Sequence, residues 1–158
     1  MFLSEQPNKL VAFLLQGDII MYQLEYRLRD ETPIYHFKQM EIGQIFAHRT
    51  TNHHILDGKT YTSISVAVED DLFVIYVDPS YTSLPNEIYT YKTPHVELHL
   101  ESPFSSILID TIDCVNFTNL QMYMGTDYFN WKEKTYTVKD SVVDVGRGVY
   151  MLIIDETM

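Results

Sequence analysis

The sequence predicts a mostly β protein: one domain over residues 1–158, folded as an antiparallel β-sandwich or β-barrel of about twelve short strands with at most one or two short helices. Three observations lead there. Apolar and polar residues alternate at period two along much of the chain. Tyr and Phe are abundant, at 12 and 8. Turn-forming residues recur at short intervals. Successive side chains on a strand point to opposite faces, and aromatic rings fit a pleated, half-buried surface.

The elements follow in order. Ile20, Tyr22, Leu24, Tyr26 and Leu28 fall on one face, with Gln23, Glu25 and Arg27 on the other, the signature of a half-buried strand. The run Leu10 to Leu15 precedes it across Gly17-Asp18, a pair suited to a tight turn because Gly accepts positive φ, so residues 10–28 read as a β-hairpin. Ile34 to Gln39 and Gln44 to Arg49 read as short strands. Asp57-Gly58 favours a type I′ turn and joins His54-Ile55-Leu56 to an alternating strand from Tyr61 to Val68. Glu69-Asp70-Asp71 turns the chain into Leu72 to Val77, whose unbroken apolar character predicts an interior strand. Asp78 to Asn86 reads as a loop. Glu87 to Lys92, His95 to Leu100, Ser106 to Val115, Leu120 to Met124, Lys134 to Val138 and Val149 to Ile154 complete the strands, with Gly146-Arg147-Gly148 turning the chain before the last. Short helices fit best in 1–9 or 117–128, where the period is unclear. No internal repeat is visible.

Net charge is −11, spread along the chain and not gathered in a tail. Direct binding to nucleic acid or to an anionic membrane is disfavoured, because such binding neutralises phosphates with Lys and Arg. An acidic surface attracts a basic partner instead. The single cysteine, Cys114, forbids an internal disulfide and sits in an apolar run as a small core side chain. With no convincing signal segment and no disulfide framework, the expected location is cytoplasmic.

Chemistry-bearing residues fall into three groups. The exposed acids Glu69, Asp70, Asp71, Glu97 and Glu101 are the expected contacts to a basic protein. Tyr123, Tyr128, Phe129 and Trp131 form an aromatic segment between turns that would anchor a partner. His95, Glu97 and His99 share one face of a strand, and His48, His53 and His54 form a second cluster. His95, Glu97, His99, His53 and His54 are the candidate ligands for a divalent metal in a barrel mouth. Alternate residues on a strand face lie about 6.6 Å apart and His95 and His99 about 13 Å apart, so any ion would need ligands from several strands. Phosphate-cradling glycine loops, a nucleophile elbow, a His-Glu-x-x-His helix and Cys-x-x-Cys are all missing.

The function this favours is a small acidic, non-enzymatic binding or inhibitory protein, of the type of immunity proteins and phage inhibitors, that presents carboxylates and aromatics to a basic macromolecular partner without a cofactor. A structural protein that assembles with itself, as a homo-oligomer or virion component, is the second expectation. A metal- or small-molecule-binding β-barrel is the third.

Overall fold

The computed structural model describes residues 20–82, 84–85, 89–102 and 106–157. Their elements are β1 (Met21–Arg27), β2 (Pro33–Glu41), α1 (Ile42–Arg49), β3 (His53–Leu56), β4 (Lys59–Glu69), β5 (Leu72–Pro79), β6 (His95–Glu101), β7 (Ser106–Asp113), α2 (Phe117–Tyr123), β8 (Tyr128–Trp131), β9 (Lys134–Asp144) and β10 (Val149–Glu156). The ten strands form one sheet in the order β2-β1-β5-β4-β3-β9-β10-β6-β7, with β8 paired to β9.

The element order repeats. β1 to β5 with α1, and β6 to β10 with α2, both run ββαβββ. The first strand of each unit pairs antiparallel with the second and parallel with the last, and the last pairs antiparallel with the fourth. Each third strand makes a hairpin with the fourth through two residues of positive φ, Asp57-Gly58 in one unit and Lys132-Glu133 in the other. Lys-Thr-Tyr-Thr follows both turns, at Lys59–Thr62 and Lys134–Thr137. The chain thus repeats one supersecondary plan, with Lys-Thr-Tyr-Thr at the same place in both units.

Each unit has its own apolar core. Leu24, Tyr26, Ile45, Phe73, Ile75 and Val77 cluster in the first. Leu98, Leu120, Met124, Val143, Leu152 and Ile154 cluster in the second, with Ala47 of α1 reaching across. Both helices cover the same sheet face. On the other face Val142, Val149, Met151 and Ile153 pack beneath Leu84 and Tyr91. The units join where β3 runs parallel to residues 142–144 of β9 and where α1 meets α2.

The helices show why this order holds. α1 buries Gly43, Ile45, Ala47 and His48, and a Cβ on Gly43 would stand 3.0 Å from the backbone nitrogen of Thr118 in α2. α2 starts at Asn116, whose side chain accepts from the backbone N–H of Asn119 and satisfies a donor the helix leaves free. Thr50, closing α1, donates its hydroxyl to the carbonyl of Met124 and ties the two helix ends.

Several expectations need correction. The sheet is mixed and open, neither a purely antiparallel sandwich nor a barrel, because β1/β5, β3/β9 and β6/β10 are parallel. Periodicity gives the faces of a strand but not its neighbours. Gln44 to Arg49 and Leu120 to Met124 lie in or at the end of helices. Ile42, Ile45, Phe46 and Arg49 do recur at helical spacing, and the run was too short for that period to stand out. Tyr89 to Lys92 form no strand, and β8 was not foreseen. Leu10 to Leu15, Gly17-Asp18 and the helix at 1–9 lie outside the described residues; β1, the expected hairpin partner, has both edges taken by β2 and β5. The strand at β1, the turn at Asp57-Gly58, the buried strand β5 and the helix within 117–128 are found as expected.

The tight approach at Gly43 yields a test. Gly43→Val should destabilise the protein by about 1–3 kcal/mol in urea unfolding, since the added side chain meets backbone that cannot turn aside.

Candidate functional site

Polar groups inside the molecule concentrate at the join and on the sheet face away from the helices. At the join, the Tyr26 hydroxyl lies 2.6 Å from His48 Nδ1 and 2.9 Å from His54 Nδ1. His48 Nε2 lies 2.9 Å from the Tyr150 hydroxyl, and His54 Nε2 lies 2.8 Å from Ser63 Oγ. Tyr26 comes from β1, His48 from α1, His54 from β3 and Tyr150 from β10, so this cluster bridges both units. Burial pushes both imidazoles down to about 3, which keeps them neutral.

On the opposite face His53 Nε2 stands 2.6 Å from Asp140 Oδ2, and its Nδ1 lies 3.2 Å from the Thr62 hydroxyl. Asp140 also accepts from the Asn52 side chain and the backbone N–H of Ser141. Burial alone would raise the Asp140 carboxyl, but the bonds from His53 and Asn52 outweigh it and hold the group below its usual range. A shallow polar depression of about 140 Å³ adjoins this pair, lined by Thr50, Asn52, Asp127, Lys139 and Ser141 among others. Hydroxyl, imidazole and carboxylate in series is an order that activates nucleophiles. Here Asp140 also fixes the end of α1 through Asn52.

The face of β6 differs most from expectation. Glu97 is fully buried, not exposed. Arg147 donates to both its oxygens at 2.9 and 3.1 Å, the Tyr91 hydroxyl donates at 2.9 Å, and His99 Nε2 lies 3.0 Å away. Burial pushes the carboxyl up, yet the bonds from His99, Arg147 and Tyr91 win and bring it to about 2. Arg147 also pairs with Asp144. The alternation of β6 holds, but Tyr91 lies across what would otherwise be the solvated face and stacks on the ring of His95 with centroids 4.4 Å apart. His99 is fully buried too, and its Nδ1 has no partner among the described residues.

The five expected metal ligands do not meet. His54 points into the core between sheet and helix, His53 pairs with Asp140 on the other face, His95 lies against Tyr91, and Glu97 and His99 are bound to each other. Among the described residues no group of three or more His, Cys, Asp or Glu side chains could hold a metal ion. Cys114 is buried, and burial with Asp113 nearby pushes its thiol up to about 11.

The four aromatics also divide. Tyr128 is exposed, whereas Phe129 packs between Tyr123 and Tyr136 in the second core. Trp131 donates its indole N–H to Asp110 at 2.8 Å and walls a groove of about 350 Å³ with Leu100, Ile109 and Tyr136. Lys132 and Lys134 stand at its rim, already paired with Asp110 and Glu156.

The remaining acids sit at the surface. Glu69, Asp70 and Asp71 form the β4–β5 turn. Glu31 joins them there, since the Tyr76 hydroxyl lies 2.7 Å from Glu31 and 3.4 Å from Glu69. Arg27 reaches both glutamates from beneath, with only 14% of its side chain exposed. Glu101 is exposed in the other unit, at the end of β6.

Sequence reasoning missed Tyr26, Tyr150, Asp140 and Arg147 as partners. Arg147 carried the nearest thing to a signal, a long cation between two glycines that let the turn fold it back under the sheet.

Replacing Arg147 tests the buried pair. Arg147→Met leaves the Glu97 carboxylate buried against two donors only, and should cost about 3–5 kcal/mol in urea unfolding. Adding Glu97→Gln to that variant should recover part of the loss.

No helix among the described residues is long and apolar enough to cross a membrane. Compared with known protein families, with curated proteins and with solved structures, the chain matches none.

Proposed function

We propose that this is a binding protein, cytoplasmic and not an enzyme, that engages a basic macromolecular partner through the acidic end of its first unit. The observation that carries the reading is that Glu25, Glu31 and Glu69 share one enclosed cation, Arg27, with Asp70 and Asp71 following Glu69 in the same turn. The excess of carboxylates over the single guanidinium leaves a local field that draws cationic surfaces and speeds encounter. The rest of the molecule reinforces that field. Arg29, Lys132, Lys134 and Arg147 are each engaged by an acid, and the chain as a whole carries a net charge of −11. Exposed Tyr128 would add an apolar contact in the second unit.

A second reading, assembly through strand edges, draws on a different observation. Val66 and Val68 on β4 are 40% and 51% exposed, and Ile107 and Ile109 on the outermost strand β7 are 56% and 41% exposed. Among the described residues no strand pairs with β4 beyond Thr62 on the side away from β5. Unpaired edges bearing apolar side chains favour pairing between chains.

The test compares the protein with its variant Glu69→Gln, Asp70→Asn, Asp71→Asn as bait for a host lysate. A basic partner should be retained at low salt, lost as salt rises, and held much more weakly by the variant. Equal retention by both baits, or retention indifferent to salt, would overturn the charge-based reading. Light scattering on the same samples reads the alternative, which requires oligomers that persist in the charge variant.

A further inference from the structure

The polar cluster at the join has a single proton order. Ser63 donates its hydroxyl to the carbonyl of Thr51 at 3.0 Å, and His54 Nε2 lies 2.8 Å from Ser63 Oγ and 3.2 Å from that same carbonyl. His54 therefore carries its proton on Nε2, because a bare nitrogen there would face a carbonyl oxygen. Its Nδ1 is then an acceptor, and the Tyr26 hydroxyl donates to it. The Tyr26 oxygen in turn accepts from His48, which places the His48 proton on Nδ1. His48 Nε2 is left to accept from the Tyr150 hydroxyl. Each buried group is satisfied by one neighbour on each side, and the direction is set at the carbonyl end.

This file has no room for another proton. Protonating His54 on Nδ1 turns two N–H groups on the Tyr26 oxygen and leaves the tyrosine's own proton without an acceptor. Protonating His48 on Nε2 forces the Tyr150 hydroxyl to turn away. Either way a cation stands between the two apolar cores. The groups facing it are Tyr26 from β1, Tyr35 and Phe37 from β2, Gln44 from α1, Ser63 from β4 and Tyr150 from β10, while His53 acts on His54 only from the other face of the sheet. None of these is a carboxylate.

We propose that the join between the two units is an acid-released lock, closed while His48 and His54 are both neutral and opened as a whole when either takes a proton. The sign follows from burial. Both imidazoles titrate at about 3 when folded and near 6.5 when released. Stability is therefore complete above pH 6.5 and declines as pH falls below it, in a range where most carboxylates have not yet begun to titrate.

Two measurements test this. Imidazole ¹⁵N spectra at pH 7.5 should show His48 protonated on Nδ1 and His54 on Nε2, with neither titrating near 6.5 in the native protein. Urea unfolding between pH 6.5 and 4.5 should show the unfolding constant rising toward about 100-fold per pH unit, the slope of two protons. In His48→Gln, His54→Gln that slope should largely vanish, whatever the stability at pH 8. If the double variant does not fold, amide exchange in the wild type reads the same event, and α1 and β10 should lose protection together below pH 6. The opposite tautomers, His48 or His54 titrating near 6.5 in the native state, or α1 protection indifferent to acid would each overturn the proposal.

Discussion

His48 stands where two separate apolar cores meet, and the continuity of the sheet depends on how it is held there. Each core lies almost wholly within its own ββαβββ unit, so burial of Leu24 or Leu152 stabilises one unit without orienting it on the other. A fully buried apolar side chain contributes roughly 1.5–3 kcal/mol, and a net internal hydrogen bond about 1 kcal/mol. The cores therefore supply most of the folding energy. The polar contacts at the join supply direction: β3 has four residues, only three of which pair with β9, and the bonds of Tyr26, His48, Tyr150, Asn52 and Asp140 fix where they pair. Polar groups suit that task because they have defined partners, and leaving one unpaired costs about 1–3 kcal/mol.

The same logic explains the buried ions beneath Tyr91. An isolated carboxylate at the position of Glu97 would be strongly disfavoured, and it is tolerated because a guanidinium, a phenol and an imidazole all reach it. These partners come from the β9–β10 turn, the segment before β6, and β6 itself. The ion cluster consequently pins the covering segment to the sheet. Further binding of Arg147 to the carbonyl of Tyr89 adds to that attachment.

The two units share one frame but differ in what they present. The first unit gathers acids at its β4–β5 turn, while the second opens a groove beside Trp131 with its charges already paired. A molecule with one acidic end and one aromatic groove is asymmetric despite its symmetric plan. That asymmetry is why the proposed contact surface lies at the acidic end of the first unit.

Much of the local structure was legible in the chain. Alternation at Ile20 to Leu28 identified β1, Asp57-Gly58 identified the β3–β4 hairpin, and the apolar run Leu72 to Val77 identified a strand enclosed between two others. The acid turn at Glu69 to Asp71 was legible as well, because three consecutive charges must face water. The four-residue β8 and the eight-residue α1 were not, since neither gives a period time to declare itself.

What the sequence by itself determined was the mostly β character, the alternation of its longer strands, the Asp57-Gly58 and Glu69–Asp71 turns and the overall charge, all of which depend on neighbours along the chain. Only the tertiary structure decided that the strands form one mixed sheet of two like units, that Glu97 and His99 lie inside, and that His48, Tyr26, His54 and Tyr150 touch. Those outcomes rest on contacts between residues as many as 102 positions apart. Pairing at that range is settled by which surfaces fit when the chain closes, and no local pattern records it.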